Sequence, residues 1–214
     1  MNHEIISFLS ITVAVAIIHT LLGPDHYAPL AAFAKAQHWT KRKIVWITSF
    51  CGLGHILSSV VLGSIGVFLN FSLEKWKIVN SLRQEIAAWL WIAAGVFYLV
   101  WAMKDWYRHK CGSDAFPGGN KTGAREWIFF VIFVLGPCEP LILLMQHPIV
   151  RGSLSVGLLV AGIFGVTTIL TMMVSVLALS AGLDSFPGLK GNYAHFAAAG
   201  IMIFCGAGMK FLGF

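Results

Sequence analysis

The stretches HTLLGPDH (residues 19–26) and VLGPCEPL (residues 134–141) decide the fold, because each sets Gly-Pro and then ionisable side chains inside an otherwise apolar run. Proline donates no backbone hydrogen bond and its ring clashes with the preceding turn, so a helix bends or ends there. The surroundings are long enough to cross a bilayer. Residues 5–23, 44–73, 86–103 and 152–183 contain no Asp, Glu, Lys or Arg, residues 127–146 contain only Glu139, and residues 194–214 only Lys210. A crossing takes about 20 helical residues, so these runs predict six transmembrane helices, with residues 152–183 too short for two. Only 11% of the chain is charged, against about 25% in soluble domains, which excludes an ordinary soluble fold.

The net charge of +6 does not predict nucleic-acid binding, because the basic residues fall between the apolar runs. Lys35, Lys41, Arg42 and Lys43 lie in the first connection, Lys104, Arg108, Lys110, Lys121 and Arg125 in the third, and Lys190 in the fifth. Those ten share one side, whereas Lys75, Lys77, Arg83, Arg151 and Lys210 fall on the other. The basic side is the cytoplasmic one, so both termini are expected outside a plasma membrane (a bacterial inner membrane). The N-terminus, with Glu4 and no basic stretch, does not read as a removable signal peptide. The four cysteines form no CxxC or zinc spacing, and Cys111 falls in the cytoplasmic loop, where a reduced thiol is expected.

The long polar stretch at 104–126, with DAFPGGNKTG, reads as a linker. It divides the chain into a first three-helix repeat (1–103) and a second (127–214). Leu22-Gly23-Pro24-Asp25-His26 matches Leu135-Gly136-Pro137-Cys138-Glu139, and His55-Ile56-Leu57-Ser58 matches Thr168-Ile169-Leu170-Thr171. The third and sixth runs share an Ala-rich start and a central glycine, Gly95 and Gly206. With three spans per half the copies enter from opposite sides, which is the inverted-repeat plan of many transporters. The expected fold is therefore an all-α integral membrane protein, six transmembrane helices as two inverted three-helix repeats with Pro-broken first helices.

Ionisable groups at membrane depth are costly and mark functional sites by default. Asp25 and His26 follow the first break, and Cys138 and Glu139 follow the second. His19 precedes His26 by two helical turns, and His55 sits mid-run in Gly-Leu-Gly-His. Imidazole, carboxylate and thiolate together are the ligand set of a divalent transition metal, so His19, Asp25, His26, His55, Cys138 and Glu139 are the candidate ligands. The aromatic series Trp89, Trp91, Tyr98, Trp101 and Trp106 reads as interfacial belt and packing, and Thr167, Thr168, Thr171 and Ser175 as helix-packing hydroxyls.

His19 to His26, followed by Ala31-Ala32-Phe33, resembles the first-helix signature of the nickel/cobalt transporters, and Leu53-Gly54-His55 with Ser58 to Val61 is similar to their second-helix motif. The resemblance, shared with urease-accessory-like and sulfite-exporter-like membrane proteins, implies that His19, Asp25, His26 and His55 bind and pass the ion. It covers about the first 60 residues. The five-residue spacer between His19 and Asp25 is one longer than the family's, and six spans fall short of its eight. Gly136 to Pro140 resembles instead the helix breaks of the DsbD/CcdA thiol–disulfide carriers, although Asp25 stands where those proteins have a second cysteine.

The expected function is alternating-access transport of a divalent transition metal, nickel or cobalt first. The ion is substrate, no permanent cofactor or enzymatic step is implied, and the partners are the ion, the lipid bilayer and, compatibly, further copies of the chain. Thiol–disulfide electron transfer through Cys51 and Cys138 is one alternative. Export of a small sulfur-containing anion is another, for which the sequence offers no evident buried Arg or Lys.

Overall fold

A computed structural model of the chain describes residues 2–69, 73–110, 122–136, 138–147, 150, 152–185 and 192–212. Pro137, Cys111, Lys121, Arg151 and Lys190, and most of the DAFPGGNKTG stretch, lie outside the described residues. Among the described residues every regular element is helical: α1 (Asn2–Leu22), a 3₁₀ turn (Pro24–His26), α2 (Ala28–Ala36), α3 (Lys41–Phe68), α4 (Leu73–Lys110), α5 (Thr122–Leu135), α6 (Glu139–Met145), α7 (Leu154–Asp184) and α8 (Asn192–Phe211). Helix thus enters the polar linker from both sides.

Five helices are long and apolar enough to cross a membrane: α1, α3, α4, α7 and α8. A sixth crossing exists only if α5 and α6 are taken together across a 42° bend. The reason is the second Gly-Pro, which stops α5 after 14 residues, about 21 Å of helix. The first Gly-Pro ends α1 in the same way. The segment after that break is not the loop that the basic residues suggest. Pro29 to Ala34 and Ala36 are buried, because a helix rich in alanine fits closely between α7 and α8. The start of α3 is fixed by Thr40, whose hydroxyl accepts the Lys43 N–H at 3.4 Å, one of the orphan donors of a helix N-terminus.

The two halves interlock. α1 packs on α7 and α5 on α3, while α3 meets α7 and α4 lies antiparallel to α8. Their glycines meet partners in matched pairs. A Cβ on Gly52 would touch Ile169 at 2.9 Å, and one on Gly165 would touch Ile56 at 3.0 Å; 52 to 165 and 56 to 169 are the same step of 113 residues. A Cβ on Gly95 would meet Ala199 O and Ile203 N, each at 3.0 Å, and one on Gly206 would meet Ala88 O at 2.7 Å and Ile92 N at 2.9 Å. Here 88 to 199, 92 to 203 and 95 to 206 are one step of 111. The Tyr98 hydroxyl bonds His195 Nδ1 at 2.7 Å, and further along the same pair of helices Gln84 Nε2 donates to Met209 O at 3.3 Å. Backbones approach this closely only where small residues line both helices.

Candidate metal site at the helix breaks

The Gly-Pro breaks bring the ends of α1 and α5 together beside the middle of α3. His55 lies near the midpoint of that 28-residue helix. Its neighbour Gly54 gives α5 room, since a Cβ there would stand 2.6 Å from the Phe130 ring. Gly23 does the same at the first break, where a Cβ would lie 2.5 Å from His26 Nδ1. Without a side chain at 23 the His26 ring folds back over its own turn.

Three imidazoles converge. The ligand nitrogens of His19, His26 and His55 all lie within 4.8 Å of one another, and His26 stands edge-on to both neighbours, with ring centroids 4.7 Å from His19 and 5.2 Å from His55. His26 Nδ1 is 3.1 Å from Gly23 O, and His55 Nδ1 is 3.0 Å from Phe133 O. A carbonyl oxygen can only accept, so in each ring Nδ1 carries the proton, and in the neutral ring Nε2 bears the lone pair. Both Nε2 atoms are buried and have no hydrogen-bond partner. Engaging one ring nitrogen with a backbone carbonyl and leaving the other bare is how proteins orient metal-binding histidines.

Asp25 stands beside His26, its Oδ1 3.2 Å from Nδ1, on the far side of the ring from Nε2. That oxygen is buried and accepts no hydrogen bond, the Nδ1 proton going to Gly23 O instead. A void of about 10 Å³ is bounded by Asp25, His26, His55 and Gly136, room for about one small occupant. Cys138 is fully buried at the second break, with Sγ 3.9 Å from His19 Nε2. Glu139 is different. It is exposed and lines a larger cavity of about 610 Å³ whose wall also carries His19, Asp25, His26, Gln84 and His147. Of the six sequence candidates, three imidazoles form the cluster, Asp25 and Cys138 flank it, and Glu139 stands outside it.

Arg83 falls among the loop cations in the sequence, but it is no loop residue. The residue lies inside α4 and is only 8% exposed. Its Nη2 donates to Gly136 O at 2.9 Å, Val134 O at 3.1 Å and Ser58 Oγ at 3.2 Å. The one signal for it is helical spacing: Trp76, Asn80 and Arg83 recur at one face of α4, and all three are buried. No protein-family model, curated protein or solved structure matches the chain.

Proposed function

We propose that the chain is a membrane-embedded carrier of a divalent transition-metal ion, with six crossings arranged as two inverted three-helix repeats. The observation that carries this reading is the pair of bare, buried Nε2 atoms on His26 and His55, each ring fixed through Nδ1 and both within reach of His19. A buried polar atom without a partner costs about 1–3 kcal/mol, and an ion on the three nitrogens removes that cost twice. Ligand atoms around a tetrahedral ion stand about 3.4–3.6 Å apart, so binding would draw the cluster in from its spacing of up to 4.8 Å. Three neutral imidazoles favour nickel, cobalt, zinc or copper over hard cations, and the resemblance in the first 60 residues puts nickel and cobalt first.

The cavity of about 610 Å³ has Phe8 of α1 and Met209 of α8 on its wall, so it opens toward the terminal ends of those helices. On the opposite side Phe33, Tyr98, Trp91, Phe129 and Phe133 pack ring against ring. Access from one face with closure at the other is one state of an alternating-access cycle. The matched steps of 113 and 111 support the duplicated plan, and the charge bias supports an open face on the outside.

Arg83 supplies the buried cation that an anion exporter would need, but it is on the wall of neither the large cavity nor the small void. Its donors go to helix-end carbonyls. The redox alternative is weaker still, since Cys51 and Cys138 belong to separate packed clusters. The test is Co²⁺ binding by the purified full chain in detergent, with uptake of labelled metal and labelled sulfite into proteoliposomes alongside. Binding that needs His26 and His55 is expected; wild-type affinity in both His26→Ala and His55→Ala would sink the proposal.

A further inference from the structure

The two breaks are closed in different ways. At the first, the freed groups are met locally: Gly23 N donates to His19 O, His26 N to Gly23 O, Tyr27 N to Pro24 O, and the Tyr27 hydroxyl to Leu21 O. At the second, Gly136 N reaches back to Ile132 and Phe133, and the carbonyls of Phe133, Val134 and Gly136 are taken by side chains of the other half. His55 meets Phe133, and Arg83 meets Val134 and Gly136. Ser58 ties the two together, accepting from Arg83 and donating to His55 O at 2.9 Å.

That arrangement has a chemical consequence two residues further on. Arg83 pins Gly136 O, and Cys138 comes next but one, with Sγ 3.9 Å from His19 Nε2. Sulfur and nitrogen on one tetrahedral ion stand about 3.6 Å apart, so the thiol is already at near-ligand spacing from one imidazole. The guanidinium also has an unfilled role. Its Nη1 is buried without a partner, and among the described residues no carboxylate pairs with it. A buried charge needs opposing charge close by; the end of α5 offers partial negative charge, and a metal-bound thiolate would offer the rest.

We propose that Arg83 is a positioning residue that holds the second break so that Cys138 becomes the fourth, thiolate ligand of an ion on His19, His26 and His55. This rests on the metal reading of the histidine cluster. One proton leaves the Cys138 thiol when the metal–sulfur bond forms, and no electron is transferred. A thiolate softens the site and directs it toward nickel, cobalt, zinc or copper and away from magnesium or manganese.

The experiment uses the purified full chain in detergent with Co²⁺ alone as the probe, because a thiolate on Co²⁺ gives a near-ultraviolet sulfur-to-metal charge-transfer band that imidazole and carboxylate do not. Wild type is expected to bind with that band. Cys138→Ser should still bind, without it. Arg83→Gln should lose about 10- to 100-fold in Co²⁺ affinity, the range for outer partners of ligands, and lose the band per bound ion, a change that general loosening of the fold would not single out. If Arg83→Gln fails to fold, Arg83→Lys, which keeps the charge but not the fork of donors, should bind with a weakened band. A full-strength band in the Arg83 variants overturns the inference, as does a wild type that binds through its histidines with no band. No Co²⁺ binding by wild type, or wild-type binding in both His26→Ala and His55→Ala, overturns the histidine site as well, so the two failures are distinguishable.

Discussion

Asp25→Asn tests the proposed site most directly, because the carboxylate stands beside His26 Nδ1 and not at Nε2, where the proposed ion would bind. Its Oδ1 is 3.2 Å from His26 Nδ1. Adding about 2 Å across the ring and about 2 Å for the metal–nitrogen bond, and allowing for a bent path, puts an ion on Nε2 about 6–7 Å from the carboxylate. At an effective dielectric constant of about 20, a unit charge and a dication at that distance attract by about 5 kcal/mol. That figure is a ceiling, since the carboxylate also attracts protons to the empty imidazoles, which must leave before the ion binds. Orienting partners of metal ligands are worth about 10- to 100-fold in affinity, or about 1.4–2.8 kcal/mol, and Asp25→Asn is expected inside that range. Isothermal titration of Co²⁺ into the detergent-solubilised protein measures it. A change under about threefold would mean that Asp25 supplies no charge to the ion. A loss beyond about a thousandfold would mean that Asp25 is itself a ligand. Either result refutes a carboxylate acting through the His26 ring.

Glu139→Gln should weaken Co²⁺ binding by less than about threefold, or under about 0.7 kcal/mol, because Glu139 is exposed at the cavity wall; a loss matching that of Asp25→Asn in the same titration contradicts this. Gly206→Ala should destabilise the fold by about 1–3 kcal/mol, because the new methyl would lie 2.7 Å from Ala88 O. Gly200→Ala, with nothing within 4 Å, should be neutral or stabilising by up to about 1 kcal/mol; equal thermal midpoints for the two in detergent would contradict the close packing of α4 on α8. Acidification should weaken Co²⁺ binding, since a protonated imidazole offers no lone pair; an affinity that rises as pH falls through the imidazole range would exclude a histidine site. Cys51→Ala should leave Co²⁺ affinity within about twofold, because Cys51 is buried in a cluster apart from Cys138. A larger loss in the same titration would contradict a metal site apart from Cys51.

Much of the architecture is legible in hydropathy alone, because uncharged runs of this length have few other uses. The breaks are legible as well, since Gly-Pro acts locally and needs no partner to stop a helix. The depth of the residues just past a break is not. Asp25 and Glu139 each sit shortly after Gly-Pro, yet Asp25 Oδ1 is buried and Glu139 is exposed. The difference is set by what packs on them: a 3₁₀ turn folds Asp25 against His26, whereas Glu139 begins α6 and faces a cavity. Arg83 fails for a related reason. Polar residues at 74–85 look like a connection in one dimension, but helix α4 starts at Leu73 and carries Arg83 inward to the carbonyls left by the second break. The sequence holds the break and the cation 51 and 53 positions apart, and only folding pairs them.

The matched offsets bear on how such a site could arise. One step of 113 relates Leu22-Gly23-Pro24 to Leu135-Gly136-Pro137 and His55 to Thr168, and the same step relates the contacts of Gly52 and Gly165. The step of 111 between α4 and α8 means only that two residues fewer separate the last two helices of the second half. On the proposed duplication the counterpart of His55 is Thr168, fully buried with its hydroxyl unpartnered, and the counterparts of Asp25 and His26 are Cys138 and Glu139. On the proposed duplication, then, the scaffold would be repeated while the ligand chemistry is not. A symmetric site would carry two acidic groups and six imidazoles at its centre, more than one four-coordinate ion can satisfy. In the proposed site, keeping imidazoles in one half and offering a single thiol from the other would leave four donors for one ion, the number a tetrahedral transition metal takes.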